Sequence, residues 1–489
     1  VALAKLTARG ALWTTSSGLV ARALGLVGTL LLARFLTPHE YGEVSVAAVL
    51  VMTASQLSTL GFGQYLVAKP DASVSTAFHV SVFHAVSGLC ALGLLLAFGG
   101  AFGDWVEAPG IVPLLPGLVL AALFDRAGFV PERLLVRELR FGALSVIRTA
   151  ADVAYSVASV VLAAFGWGGA AVVAGNLVRS ALRALLFMLS VKRREWFAPG
   201  RLSLRETREL LAFGLPMALG ASCAFAARRW DGLLVSRFFG PGPAGAYNLA
   251  YNLADVPAIQ IGEQIGDVLL PSFARLDPER RKVALVRALA LLALLVFPLA
   301  VGLGAVAPTL VAVLFDARWQ SLAPMLVVLS ALSVTRPVGW VVASYLQARH
   351  LPGRIFGLEL IKLVCLVGGI LSFGRTSPLA TCAAVGIAFG IHAILSLWVV
   401  ERVDQIPLMR SLASLAPALA ACLPLVASVL LVRNGLAGSG GVSAVLSLVL
   451  EVLAGAAGYA AGAWLFARRA SEDLLARLLE ALRARREVA

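Results

Sequence analysis

The stretch LLLARFLTPHEYGEVSVAAVLV, from Leu30 to Val51, returns as LLVSRFFGPGPAGAYNLAYNLA, from Leu233 to Ala254, at a constant offset of 203 residues. In each copy an apolar run ends in Arg-Phe (Arg34-Phe35, Arg237-Phe238). The chain then turns through proline and glycine (Pro38 and Gly42, Pro241 and Gly245) and enters a second apolar run. Unrelated Leu- and Ala-rich helices would not share arginine, proline and glycine at fixed offsets, so the chain reads as two repeated halves. In an apolar chain such halves point to a transporter, with its site between them near the bilayer midplane.

The composition agrees. Of 489 residues, 60% are hydrophobic and 14% charged, and the mean hydropathy is +0.88. No soluble domain buries that fraction of apolar side chains, so the chain is expected to be an all-α polytopic membrane protein. Lys5 and Arg9 precede an apolar run too long for a signal-peptide core and lacking a small-residue cleavage site. The first segment therefore reads as a retained helix. Cys90, Cys223, Cys365, Cys382 and Cys422 are scattered singly through apolar runs, as small core residues and not as a disulfide set or metal site.

Apolar spans are expected at about 11–35, 42–67, 76–102, 111–130, 142–165, 168–191, 209–238, 244–271, 284–306, 320–347, 353–373, 379–401, 410–432 and 442–467. Each is roughly 20 to 30 residues, enough to cross a ~30 Å hydrocarbon core with some tilt. These fourteen spans group as a six-helix bundle (1–191), a basic cytoplasmic linker (192–208), a second six-helix bundle (209–402), two further helices (403–468) and a cytoplasmic amphipathic tail (469–489). With both termini inside, twenty-eight Lys and Arg fall in inner connections and five in outer ones, as the positive-inside rule requires. The net charge of +14 follows from that asymmetry. It is not a nucleic-acid signal, because the basic residues sit in short connections.

The connection KRREWFAPGRLSLRETRE, Lys192 to Glu209, mixes Arg with Trp196, Pro199 and Leu202. It reads either as a segment lying on an anionic leaflet or as a basic linker that only sets topology. In the tail, Ser471 is a plausible N-cap before Glu472 and Asp473. Leu474, Leu475, Leu478, Leu479 and Leu482 then form one apolar face.

Candidate chemistry lies in ionisable residues deep in spans, where each costs about 2.5–3.5 kcal/mol at a helix centre and needs water, a partner or a ligand. Arg22 lies about eleven residues into the first span. Arg179 and Arg183 share a helix face with Asn176, and Arg336 precedes Pro337 mid-span. Arg228 and Arg229 lie in the outer half of the seventh span, near Asp231. Structural pairs are expected for Arg148 with Asp152, Glu359 with Lys362, and Asp125 with Arg126. Glu263 and Asp267, with Asp255 nearby, read as a polar seam closing an inner gate or as an ion-coupling site. Arg22, Arg179, Arg183 and Arg336 have no obvious intramembrane carboxylate, so an anionic guest is expected, and phosphate best matches the guanidinium fork. No nucleotide-binding GxxxxGK[ST], GxSxG or HExxH sequence occurs. Neither enzyme activity, nor a cofactor, nor a metal site is expected.

The run VARALGLVGTLLLARFLTPHEYGEVSVA followed by STLGFGQYLV, together with WDGLLVSRFFGPGPAGAYNLAYNLADVP (Trp230 to Pro257), resembles Wzx-type polysaccharide flippases. These form the polysaccharide-transporter branch of the multidrug/oligosaccharidyl-lipid/polysaccharide (MOP) exporter superfamily. The resemblance implies two six-helix bundles in a V-shaped, MATE-like arrangement around a cationic cavity, plus two C-terminal helices. It implies transport of an undecaprenyl-diphosphate-linked oligosaccharide (O-antigen, capsule or exopolysaccharide units) across the bacterial inner membrane by alternating access. Membrane lipids are then partners, with a polysaccharide polymerase and a chain-length regulator as further candidates. Arg22, in ARALG, matches the cavity arginine of the related lipid II flippases. The Arg-Asp pair that follows there is replaced by Gly28 and Thr29, which counts against lipid II as cargo. Arg228, Arg229 and Asn176 join Arg22, Arg179, Arg183 and Arg336 as candidate substrate contacts. The alternatives are an ion-coupled multidrug exporter of the same fold, which would use buried carboxylates, and a non-transporting scaffold for polysaccharide assembly.

Overall fold

The computed structural model describes residues 25, 27–68, 74–197, 202–437, 443–468 and 471–473, which form helices joined by turns, with no strand among them. Two compact units divide the chain, Val1–Gly245 and Ala246–Ala489. The first contains α1 (Pro38–Leu57), α2 (Val74–Ala97), α3 (Leu115–Arg137), α4 (Phe141–Ala164), α5 (Gly169–Ser190), α6 (Leu204–Phe239) and the first residues of α7 (Pro241–Arg275). The second contains the rest of α7, then α8 (Pro278–Leu314), α9 (Leu322–Leu332), α10 (Arg336–Ala348), α11 (Pro352–Ser372), α12 (Pro378–Asp404), α13 (Leu408–Ala437) and α14 (Ala444–Phe466).

Among the described residues, eleven helical segments are long and apolar enough to cross a membrane, so the fold is all-α and polytopic. Neither α1 nor α7 is one of the eleven; α1 opens with His39, Glu40 and Glu43. The beginning of the first expected span lies outside the described residues. In the fourth expected span, the helix runs past 130 to Arg137 with Pro131 inside it. Arg133, beyond the expected end of that span, is thus a helical residue like Arg126. In hydrocarbon the helix is retained because only intrahelical bonds satisfy the backbone.

The repeated motif has the same local structure twice. A helical segment through 27–35 ends just before Leu36, and α1 starts at Pro38. Correspondingly α6 ends at Phe239, Gly240 takes a φ of 80°, and α7 starts at Pro241. Thr37 and Glu40 cap α1 reciprocally: the Thr37 N–H donates to Glu40 at 2.8 Å and the Thr37 hydroxyl accepts from the Glu40 N–H at 3.2 Å. Pro38 supplies the preset first turn.

The two copies then meet. A Cβ on Gly42 would overlap the Pro241 carbonyl, and a Cβ on Gly245 would overlap the Pro38 carbonyl. The repeated Pro and Gly positions are therefore each other's contact, backbone against backbone, as small residues permit between membrane helices. Farther along, Trp230 Nε1 of α6 donates to the Thr53 hydroxyl of α1 at 3.2 Å.

In the first unit α5 packs against both α3 and α4. One apolar cluster (Leu32, Leu36, Val44, Ala163, Ala171, Val172) lies at the end carrying Pro38. A larger one (Phe62, Leu66, Val80, Leu134, Leu135, Phe187 and neighbours) lies towards the other end. The linker is tied to α2: Ser81 Oγ donates to the Trp196 carbonyl at 3.3 Å, and the Ser203 N–H to His79 Nε2 at 2.7 Å. Ser203 caps α6, which starts five residues before the expected span.

In the second unit α8 carries the core, and α13 and α14 pack on each other and on it. A 3-10 turn, Ser333–Thr335, separates α9 from α10 immediately before Arg336 and Pro337. Ser471 donates to the Ala467 carbonyl at 3.0 Å and so does not act as the expected N-cap. The apolar face proposed from Leu474 onward lies outside the described residues. Of the cysteines, Cys382 and Cys422 are buried, whereas Cys90 is exposed, contrary to the core reading of all five.

Gly42→Ala and Gly245→Ala should each destabilise the protein by about 1–3 kcal/mol, because the clash is with backbone that cannot rotate away. Gly93→Ala, where a Cβ meets nothing within 4 Å, should not. Thermal unfolding of the detergent-purified variants checks both.

Candidate functional site

A cavity of about 510 Å³ opens in the first unit, and all its lining residues belong to that unit. The α3 helix contributes Asp125, Arg126, Phe129, Glu132 and Arg133. Asp125 and Glu132 are seven residues apart, as are Arg126 and Arg133, so two turns of helix place an acidic row beside a basic row. From α5 come Asn176, Arg179, Ser180 and Arg183, and from α4 Arg148. The α1 side is Ser55, Gln56 and Thr59, with His84 of α2 and Phe225 of α6 completing the wall.

Five arginines face this space against two carboxylates, and they are held in different ways. Arg183 Nη2 donates to Asp125 Oδ1 at 2.6 Å. Arg148 donates to Glu132 Oε1 through Nη2 at 2.5 Å and Nε at 3.1 Å. Arg126 donates to the carbonyls of His84 (2.8 Å) and Ser55 (3.1 Å) and to the Ser58 hydroxyl. It thereby closes the C-terminus of α1, where carbonyls have no intrahelical donor and the helix dipole is negative. Gly88 makes room for it, since a Cβ there would overlap the guanidinium. Arg133 lies over the Phe129 ring at 5.1 Å, and His84 stacks on that ring at 3.9 Å. Arg179 donates to Asn176 Oδ1 at 2.7 Å and lies over Tyr155 at 5.2 Å. The Nε atoms of Arg126, Arg133 and Arg179 are buried without hydrogen-bond partners, and none of the three has a carboxylate in ion-pair contact among the described residues.

The second unit handles charge differently. Arg336 is ion-paired with Asp255 and lies over the rings of Tyr251 (4.8 Å) and Phe389 (5.1 Å). Lys362 Nζ pairs with Glu359 at 2.5 Å and lies over Phe389 at 5.2 Å, while His392 Nε2 is 3.6 Å from Glu359. Glu451 of α14, only 1% exposed, binds Arg433 at 2.8 Å and accepts from Thr309 at 2.7 Å. These groups are matched acid to base, with no charge left over.

Of the residues chosen from sequence, Asn176, Arg179 and Arg183 come together at the cavity. Arg228 is exposed on α6 and Arg229 half-buried, and neither lines it. Arg22 and the side chains of Glu263 and Asp267 lie outside the described residues. Three pairings are corrected. Arg336 is matched by Asp255, which the helix register alone could not reveal. Arg183 is matched by Asp125, so Asp125 is not paired with Arg126. Arg148 takes Glu132 in place of Asp152. The Glu359–Lys362 pair forms as spaced. Arg126, Arg133, Glu132 and Arg148 were missed as cavity residues. The seven-residue spacing of like charges inside an apolar span was the available signal.

A family described as polysaccharide biosynthesis protein matches residues 31–324. The chain belongs to that family. It is 29% identical to the lipopolysaccharide biosynthesis protein WzxC of Escherichia coli (strain K12), over 82% of either chain. With the succinoglycan biosynthesis transport protein ExoT of Rhizobium meliloti (strain 1021), identity is 28% over 99% of this chain and 97% of ExoT. Among solved structures, the lipid II flippase MurJ in an inward closed conformation superposes with a TM-score of 0.78 at 15% identity, over 93% of this chain and 99% of MurJ. An inward-facing MATE-family multidrug transporter of the MOP superfamily gives 0.63 at 15% identity, over 80% of this chain and 94% of that one. Both show a shared MOP-type fold.

A double-mutant cycle tests whether Arg336 is a structural partner. Arg336→Leu alone should cost about 3–5 kcal/mol by stranding a buried Asp255, and Asp255→Leu added to it should recover most of that loss. Thermal unfolding of the three variants reads the coupling.

Proposed function

We propose that this protein is a flippase carrying undecaprenyl-diphosphate-linked oligosaccharide units across the bacterial inner membrane by alternating access. The observation that carries the reading is the cavity, where five arginines face two carboxylates among apolar helices. An unanswered charge at that depth costs about 2.5–3.5 kcal/mol, so the surplus favours an anionic guest. A diphosphate presents oxygens that the guanidinium fork engages two at a time. Membership of the polysaccharide biosynthesis family and likeness to proteins named for lipopolysaccharide biosynthesis and succinoglycan transport support a sugar-bearing cargo.

In this reading Arg179 and Arg183, with Asn176, hold the diphosphate, and Arg22 is retained as a contact through its resemblance to lipid II flippases. Arg133 is a further contact, whereas Arg126 is committed to the carbonyls of Ser55 on α1 and His84 on α2. Gln56, Thr59 and Ser180 offer hydrogen bonds to the first sugars. The polyprenyl tail lies along α13 and α14, where an apolar groove of about 630 Å³ is lined by Leu294, Pro298, Leu303, Leu425, Val429 and Tyr459. The two six-helix bundles rock to expose the site to either side. Asp255, now with Arg336 as its partner, is the described candidate for ion coupling, alongside Glu263 and Asp267. Both termini lie in the cytoplasm, and the protein transports without catalysing bond chemistry. Cationic drugs are disfavoured as cargo by the surplus of arginine.

Complementation of a flippase-deficient strain tests this at matched membrane expression. Arg179→Ala with Arg183→Ala should abolish surface polysaccharide and leave lipid-linked intermediate on the inner face. Full export by that variant would remove the cavity from the mechanism.

A further inference from the structure

Asp125 and Glu132 raise a question that the anion-binding reading does not answer. Both project from one face of α3 into the cavity meant for a negative guest. Each reaches a different helix: Asp125 takes Arg183 of α5, and Glu132 takes Arg148 of α4. A carboxylate that only served packing would be enclosed, as Glu451 is at 1% exposed. Here Asp125 and Arg183 are 31% and 29% exposed; Glu132 is less open at 13%, but its partner Arg148 is 49% exposed. The pairs stand at the cavity surface, within reach of any solute that enters.

A carboxylate and a phosphoryl group offer the same thing to a guanidinium, two coplanar oxygens at matching spacing. The five arginines therefore fall into two sets. Arg126, Arg133 and Arg179 are held by carbonyls, an amide and aromatic faces, with no carboxylate in ion-pair contact among the described residues. Arg183 and Arg148 are each already engaged by one oxygen of a carboxylate, at the position a phosphate oxygen would take.

We propose that Asp125 and Glu132 are internal stand-ins for the guest's phosphates, displaced from Arg183 and Arg148 when a phosphorylated anion binds and returning to expel it. This rests on the cavity being the anion site. Without stand-ins, the empty cavity would carry five cations in apolar surroundings, and a bound dianion would have nothing to replace it. With them, the guest must compete for two of the cavity's five arginines, which lowers affinity. A carrier needs that compromise, because a site must bind well enough to fill and weakly enough to empty.

The test uses the full chain in detergent and inorganic pyrophosphate as the probe, with binding read by calorimetry. Asp125→Asn with Glu132→Gln should bind pyrophosphate at least ~10-fold more tightly than wild type, about 1.4 kcal/mol. Its flipping rate in the complementation strain should fall as release slows. Asp152→Asn is the control for charge alone. Asp152 lies within electrostatic reach of Arg148, Arg179 and Arg183 but forms no ion pair among the described residues, so its loss should change affinity less than ~3-fold. Should the double variant not fold, Glu132→Gln alone carries the test, with a severalfold gain expected. Unchanged or weaker binding in the amide variants, or an equal gain from Asp152→Asn, would overturn the exchange. If Arg179→Gln with Arg183→Gln still abolishes binding, the cavity reading survives that result. If pyrophosphate binding ignores those two arginines, the cavity reading fails, and the exchange fails with it.

Discussion

A guanidinium placed among apolar helices must be answered, and the ways in which this protein answers its arginines organise both of its units. The cost of a bare charge at membrane depth is several times thermal energy. No arginine can therefore sit there by accident, and each one reports a constraint. Arg126 reports the meeting of two helices, donating to the Ser55 carbonyl in the last turn of α1 and to the His84 carbonyl of α2. Arg336 reports a structural ion pair enclosed by aromatic faces. Arg179 and Arg133 rest on rings, with buried Nε donors left unused and no carboxylate in ion-pair contact among the described residues.

The two halves share a repeated pattern yet differ in charge. In the second unit acids and bases close on one another: Asp255 with Arg336, Glu359 with Lys362, Glu451 with Arg433. In each of these pairs the charge has an opposite partner within the unit, and removing one member would strand the other. In the first unit the bases outnumber the acids around a water-accessible cavity. The units therefore differ in their described charges, a surplus of bases around the cavity of the first and matched pairs in the second, even though the motif that opens each half is the same.

That motif is itself a contact. Pro38 and Gly42 of one copy meet Pro241 and Gly245 of the other with no side chain between them. A repeat in constant register need not mark a binding site. Here it marks a place where two backbones touch and where only glycine leaves room.

By itself the sequence determined the class of the molecule. Composition, span length and the repeat at an offset of 203 residues demanded an all-α polytopic protein, because hydrocarbon leaves the backbone few other choices. It also placed Arg179, Arg183 and Asn176 on one helix face, since that follows from a period of 3.6. What it could not supply was partnership between helices. Asp125 lies 58 residues from Arg183 and Glu132 lies 16 from Arg148, and nothing in local spacing prefers these pairs over the neighbours Arg126 and Asp152. Arg336 looked unanswered for the same reason, its carboxylate standing 81 residues earlier, at Asp255. Side-chain periodicity is a property of one helix, and it is written in the chain. Which charge meets which across a bundle depends on how helices cross, and only the tertiary structure decided that.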